Sequence, residues 1–300
     1  MRVSTSMMQQ VAVSGILKRQ ADLSHTQQQL ASGRRILTPS QDPAGSTQIL
    51  RFEQELGITA QHQRNADRAL SRLEMEEGIL SGVGNALQRV REQAVQGLND
   101  SNSPSDRTAI AAEVRQRLDE VLNLANTKDG SGEYLFAGFK GDTKPFVSSG
   151  LGTYVYQGDQ GQREIQISPT RKVPSSDSGD ALFMKVPYSG GGQQDIFKTI
   201  SDFATALESN SPDGNVLTDL DAAIGSMLDA RAIIGSRINT IDAQRGINEQ
   251  YSVQLNAELS KIQDLDYAEA VGRMNIELTG LQASQASFER IQNLSLFNYM

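Results

Sequence analysis

Two imidazoles, His25 and His62, are the first candidates for chemistry in this chain. A helical metal site needs a second ligand about one turn on, and the i+4 residues are Gln29 and Ala66. Both histidines therefore read as solvated or helix-face residues. There is no Cys, which excludes disulfides, thiolate metal sites and cysteine nucleophiles. Glu76-Glu77 reads as a solvated helix face rather than a carboxylate pair. The run Gly138-Phe139-Lys140-Gly141-Asp142-Thr143-Lys144 has the glycines and lysines of a phosphate loop, but not the spacing. It is better read as a β turn. Gly82-Val83-Gly84 lacks the third glycine of a dinucleotide loop and lies in a helical pattern. No Gly-x-Ser-x-Gly elbow occurs. Asn293-Leu294-Ser295 fits a glycosylation acceptor but sits in a terminal helical pattern, a poor place for one. No catalytic, cofactor-binding or metal-binding residue is assigned, and no cofactor is expected.

Composition points the same way. The 300 residues carry 28 basic and 36 acidic side chains, a net charge of -8. That balance argues against a nucleic-acid partner, because affinity for phosphates rests on Lys and Arg. Hydrophobic content is 38% and aromatic content 5%, a lean supply for one thick globule and a better match to long helices. No run of 18 apolar residues occurs, so no membrane-spanning helix is expected. Met1–Gln10 is polar and lacks the apolar stretch of a cleaved signal peptide. A cytoplasmic protein, or one exported by a route without a cleaved signal, fits this.

With no catalytic centre to position, the informative pattern lies in the elements. Pro is absent from 44–103, 105–144 and 213–300, so helices on both flanks can be long. Leu73, Leu80, Leu87 and Ala94 repeat at seven in a helix over 44–99, which would span roughly 84 Å at ~1.5 Å per residue. Ser103-Pro104-Ser105-Asp106 is a capping signal for a third helix carrying Ile110, Val114, Leu118 and Val121, packed antiparallel on the second. Asp195–Glu208 reads as a short helix and 216–261 as a long one. Between these flanks, 130–194 holds 12 of the 26 glycines. Its alternating runs Thr153–Tyr156 and Glu164–Ile167 are separated by turn signals, which predicts a small antiparallel β domain. The turn Ser175–Gly179 is expected to be exposed and tolerant of change.

The two ends are weaker. Ile16, Leu23, Leu30 and Leu37 give one apolar residue per heptad where a stable coiled coil has two, and Pro39 is expected to end that helix. After it, Asp42 caps a new helix with Pro43 in its first turn. The other end carries Tyr267, Val271, Met274, Leu278, Leu281 and Phe288 at spacings of three, four and seven, interrupted by Gln285. Residues 1–45 carry five basic and two acidic side chains, and 264–300 two basic and five acidic. Net +3 therefore faces net -3. Neither stripe supports a stable helix alone. Pattern alone leaves two readings: a hairpin buried within one chain, or arms completed by other molecules.

The run Leu30-Ala31-Ser32-Gly33-Arg34-Arg35-Ile36, followed by Ser40-Gln41-Asp42-Pro43-Ala44-Gly45, resembles the N-terminal signature of the flagellin superfamily. Asp264-Leu265-Asp266-Tyr267-Ala268-Glu269-Ala270, then Leu281-Gln282-Ala283, resembles its C-terminal signature. With the helical flanks the resemblance covers about three quarters of the chain. Within the superfamily, Met1–Met7, Gly132–Phe139 continuing to Phe146, and the ending Ser295–Met300 look like the junction class that joins hook to filament. Leu87–Gln96 instead resembles the flagellin stretch that packs between protofilaments and is read by an innate immune receptor. It makes Gln88, Arg89, Arg91 and Glu92 candidate lateral contacts.

The resemblance implies a mainly α fold of long antiparallel helices, with the N- and C-terminal helices paired as a coiled coil and a small inserted β domain. Arms 1–42 and 262–300 would form the inner layer, 43–129 with 195–261 a helical middle, and 130–194 an outer β domain. It implies a structural, non-enzymatic protein exported to the extracellular flagellum. The implied partners are hook-associated protein 1, flagellin, further copies of itself in a ring, and an export chaperone on the C-terminal arm. The alternatives are a filament subunit or, with little support, an enzyme domain within 130–194.

Overall fold

The computed structural model describes residues 5–150 and 152–297. The junction-like opening and ending lie partly outside this range. The chain divides into two compact units, Met1–Ile58 with Gln250–Met300, and Thr59–Glu249.

In the first unit, α1 (Thr5–Ser32) pairs with α6 (Tyr267–Phe297). The pair is antiparallel. Leu265, just before α6, bonds to Gly33 at the end of α1, Arg19 lies over Gly280, and Ala12 and Ile16 share a groove with Ser284 and Phe288. The end of α1 differs from expectation. Gly33, not Pro39, stops the helix: it adopts the left-handed conformation (φ 68°), and its N–H donates to the Gln29 carbonyl at 2.8 Å. A glycine takes that conformation without the Cβ clash that other residues meet. Leu37 consequently lies in the connection after α1 rather than on the helix. The second helix, α2 (Pro43–Gly97), starts as expected, with Asp42 Oδ1 accepting the Gly45 N–H at 2.8 Å.

The second unit contains the rest of α2, α3 (Pro104–Ala125), α4 (Ile196–Glu208) and most of α5 (Asn215–Gln263). Leu73, Leu80, Leu87 and Ala94 are fully buried, so the seven-residue repeat reports the core face. Ser103 and Asp106 form a reciprocal capping box at the start of α3. A Cβ on Gly82 of α2 would meet Leu124 near the end of α3 at 3.2 Å, so across the short 98–103 connection α3 folds back close along α2.

The β-rich insertion is built from three two-stranded antiparallel ribbons rather than one sheet. They are β1 (Phe146–Gly150) with β2 (Thr153–Tyr156), β3 (Glu164–Ser168) with β4 (Arg171–Pro174), and β5 (Val186–Pro187) with β6 (Gln193–Gln194). Two-stranded ribbons cannot stand alone. These share a core with the helices: Phe136, Phe146, Phe183 and Phe197 are all buried, with neighbouring ring centroids 5.1–5.9 Å apart. Four fully buried phenylalanines supply most of the large apolar volume that the short strands lack.

The segment Ser175–Gly179 is not the tolerant exposed turn that its composition suggests. Ser175 and Ser176 are buried, and Asp177 pairs with Arg237 of α5 at 2.7 Å. A Cβ on Gly179 would lie 2.6 Å from the Phe146 ring. Polar composition marked a turn, but the polar atoms are satisfied inside the fold. Ser175 Oγ donates to the Arg163 carbonyl, and Ser176 Oγ accepts the Arg163 N–H.

Candidate assembly site

The two signature segments meet in space. Leu265 N–H donates to the Gly33 carbonyl at 3.0 Å and Arg35 N–H to the Gln263 carbonyl at 2.7 Å, a two-residue ladder around the Arg34–Asp264 bridge. The Arg35 Nε adds a bond to the Ile262 carbonyl at 3.1 Å. Gln29 Nε2 donates to the Arg35 carbonyl at 2.6 Å. Beneath this ladder Ile36, Leu265 and Ala270 are buried. Gly45 lies against Ile36 so closely that a Cβ would come within 2.7 Å of its Cδ1. Asp266 Oδ1 accepts the N–H groups of Ala268 and Glu269 at 2.9 and 3.1 Å and so starts α6. Residues separated by more than two hundred positions thus clamp both arms at one end.

His25 takes part in this clamp. Gln41 Oε1 accepts the Leu37 N–H at 2.9 Å, which leaves its amide nitrogen facing His25 Nε2 at 2.6 Å. The imidazole serves as a hydrogen-bonding strut, a task its sequence spacing does not reveal.

Beyond the clamp, the inner face of α1 follows Gln9, Ala12, Ile16, Leu23, Thr26 and Leu30, the last four positions running from half-buried to buried. The facing stripe of α6 follows Ala270, Met274, Glu277, Leu281, Ser284 and Phe288, all buried or half-buried. The α6 stripe alternates spacings of four and three, and the α1 face does the same apart from a seven-residue step from Ile16 to Leu23, the pattern of a coiled-coil seam. A groove of about 420 Å³ remains beside Gly15, Gly280 and Ala283, where side chains are too small to fill it.

Of the ten arm residues singled out from sequence, the structure brings Ile16, Leu23, Leu30, Met274, Leu281 and Phe288 to this seam. Leu37 is half-buried in the connection. Tyr267, Val271 and Leu278 are exposed instead. Ala270, Glu277 and Ser284 take the positions that the larger side chains were expected to fill. The apolar pattern was followed along the bulkiest residues, whereas the helices approach through smaller ones.

The arms keep further apolar surface outside their seam: Val11 is 64% exposed, Leu17 60% and Ile276 74%. Leu50 and Val253, in the parts of α2 and α5 that belong to this unit, are exposed as well. Exposed large apolar side chains are denser on this unit than on the other, where Met75, Val95, Phe139, Leu228, Ile233 and Ile247 are exposed too. Ion pairing does not build the seam: among the described residues, Arg35–Asp42 lies within the N-terminal arm and Arg273–Glu269 within the C-terminal arm.

In the second unit the four candidate lateral residues divide. Gln88, Arg89 and Glu92 are exposed, with Arg89 and Glu92 paired along the helix at 2.6 Å. Arg91 is half-buried and grips Asp221 of α5 through Nε at 2.5 Å and Nη2 at 3.3 Å. That hydrogen bond, reinforced by the Asp221 charge, raises the Arg91 pKa. Exposed Val95, one turn beyond, extends the surface that Arg91 does not join.

The paired terminal helices, the clamp between their signatures and the helical body with its β-rich insertion define a flagellin-like fold. Residues 3–140 match the model of the bacterial flagellin N-terminal helical region, and residues 217–300 that of the C-terminal helical region. The chain belongs to the flagellin superfamily. It is 28% identical to flagellar hook-associated protein 3 of Escherichia coli K12 over 316 aligned positions, which take in 99% of each protein. A phase 2 flagellin of Salmonella abortus-equi is 31% identical over 75% of this chain but only 42% of the flagellin. The crystal structure of the flagellar junction protein FlgL from Legionella pneumophila superposes with a TM-score of 0.62 at 23% identity, covering 72% of this chain and 99% of that one.

Proposed function

We propose that this chain is a structural component of the bacterial flagellum that joins the hook to the filament, without enzymatic activity. One observation carries the reading. The two signature segments lock the arms together while leaving apolar side chains on both arms uncovered, as a subunit completed by its neighbours requires. The end-to-end match to hook-associated protein 3, against less than half of a flagellin, favours the junction over the filament body. The partners in this reading are hook-associated protein 1 on one side, flagellin on the other, and further copies of the chain in a ring. The protein is external, with an export chaperone covering the C-terminal arm beforehand. Arms 1–42 and 262–300 form the inner layer of the assembly, 43–129 with 195–261 its middle, and 130–194 its outer face.

The test is a clean deletion of the gene, followed by electron microscopy of the cell surface and an assay for flagellin in the medium. Bare hooks with abundant unpolymerised flagellin are expected. Intact filaments would reject the reading.

A second reading, a filament subunit, draws on exposed Gln88, Arg89 and Glu92 in a segment resembling the flagellin lateral contact. It predicts bare hooks with no flagellin in the medium, and long filaments from the purified protein after seeding.

A further inference from the structure

Glu76 is buried to 1% exposure on α2, within the second unit. Its carboxyl group lies where α2, α5 and the segment 175–179 meet. The backbone N–H of Asp177 donates to it, while its Oε1 has no hydrogen-bond partner among the described residues. Both guanidinium groups near it already hold a carboxylate, although the buried Arg72 Nε has no hydrogen-bond partner among the described residues. Arg237 Nη1 of α5 holds Asp177 Oδ2 at 2.7 Å, and Gln162 Nε2 donates to Asp177 Oδ1 at 2.7 Å. Arg72, one turn earlier on α2, holds Asp129 at 2.5 Å. The adjacent Glu77 is bound by Arg231 and takes no part. The cluster therefore contains two guanidinium groups and three carboxyl groups, Asp129, Asp177 and Glu76. The arginines already have carboxylate partners, so an ionised Glu76 would be a buried charge without one, a state that costs more than retaining the proton.

We propose that Glu76 is a proton-operated latch holding the segment 175–179 of the β-rich insertion against α2 and α5, neutral when that segment is seated and ionised when it opens. Burial, followed by the Asp177 charge, pushes the Glu76 carboxyl up to about 8, against the smaller pulls of Arg237, Arg72 and the hydrogen bond from the Asp177 N–H. The sign follows from proton counting. The seated form keeps a proton that the opened form loses near the ordinary carboxylate value of 4.5. Raising pH between those limits favours opening, by about tenfold in the equilibrium constant per pH unit, and the effect levels off above about 8. Acid tightens the latch and alkali loosens it.

Hydrogen exchange on the full chain, corrected for the intrinsic pH dependence of exchange, tests this. Protection of 175–179 is expected to fall about tenfold per unit from pH 6 to 8 and then level off, while the Leu73–Ala94 stretch of α2 holds steady. Glu76→Gln, which is neutral at every pH, should make the protection of 175–179 independent of pH. The infrared carbonyl band of a protonated carboxylic acid should be present at pH 6 in the parent and missing from Glu76→Gln. An unchanged pH slope in Glu76→Gln, or an ionised Glu76 at pH 6, would overturn the proposal. Should Glu76→Gln fail to fold, Asp177→Asn supplies the second arm. It removes a neighbouring negative charge and frees Arg237, so the levelling point should move to lower pH; an unmoved profile would also overturn the proposal.

Discussion

The two units hold themselves together differently. In Thr59–Glu249 a continuous core runs from Leu73 through Leu80 and Leu87 to Phe146, Phe183 and Phe197, all fully buried. In the unit formed by the two ends, the α1–α6 seam relies on half-buried Ile16, Leu30, Met274 and Leu281, and apolar residues as large as Ile276 and Leu17 face outward. Net stability is a small difference between burial and ordering entropy. A unit with a filled core is folded by its own sequence. A unit with a thin seam and apolar outer faces has burial still to gain, and in the proposed function it gains it on contact with other molecules.

Truncating the filled core should give the largest effect. Leu80→Ala or Phe183→Ala is expected to destabilise the second unit by about 3–5 kcal/mol, read as a lowered denaturation midpoint. A loss under about 1 kcal/mol would erase the contrast between the units. Next come aspartates in the arms. Leu30→Asp places a charge in the seam and should loosen α1 from α6 in the free protein, seen as faster exchange along both helices. Ile276→Asp is expected to leave those exchange rates unchanged and to block incorporation into the flagellum. If both variants behaved alike in the free protein, the division into inner and outer faces would fail.

A smaller effect tests the clamp. Gly33→Ala forces a Cβ into the left-handed region at a cost of about 1–2 kcal/mol, close to the Tyr267 hydroxyl. Faster exchange of the Leu265 N–H, with the second unit unaffected, is the expected readout. The smallest effect belongs to the exposed Arg89–Glu92 pair. Arg89→Ala should change stability by at most about 0.5 kcal/mol, so any loss of assembly would report contact with a neighbour rather than misfolding.

Much of this division was legible in the sequence. The seven-residue repeat in α2 marked its core face, Asp42-Pro43 and Ser103–Asp106 marked helix starts, and the polar heptads marked a weak arm. Three features were hidden for physical reasons. Gly33 looked like part of a continuing helix because a single glycine is tolerated in one, and only its left-handed conformation shows it as the stop. The seam on α6 runs through Ala270, Glu277 and Ser284 because closely approaching helices select small or polar residues, whereas pattern reading follows bulk. The Ser175–Gly179 segment had the composition of an exposed turn, since a polar run whose hydrogen bonds are met inside the fold cannot be told from one that meets water.

The most direct test of an arm surface completed by neighbouring molecules is complementation of the deletion strain with Leu278→Asp, a change at a residue exposed in the free chain. The account predicts a variant that is exported with an intact second unit, yet leaves bare hooks and flagellin free in the medium. Normal filaments and motility would contradict it.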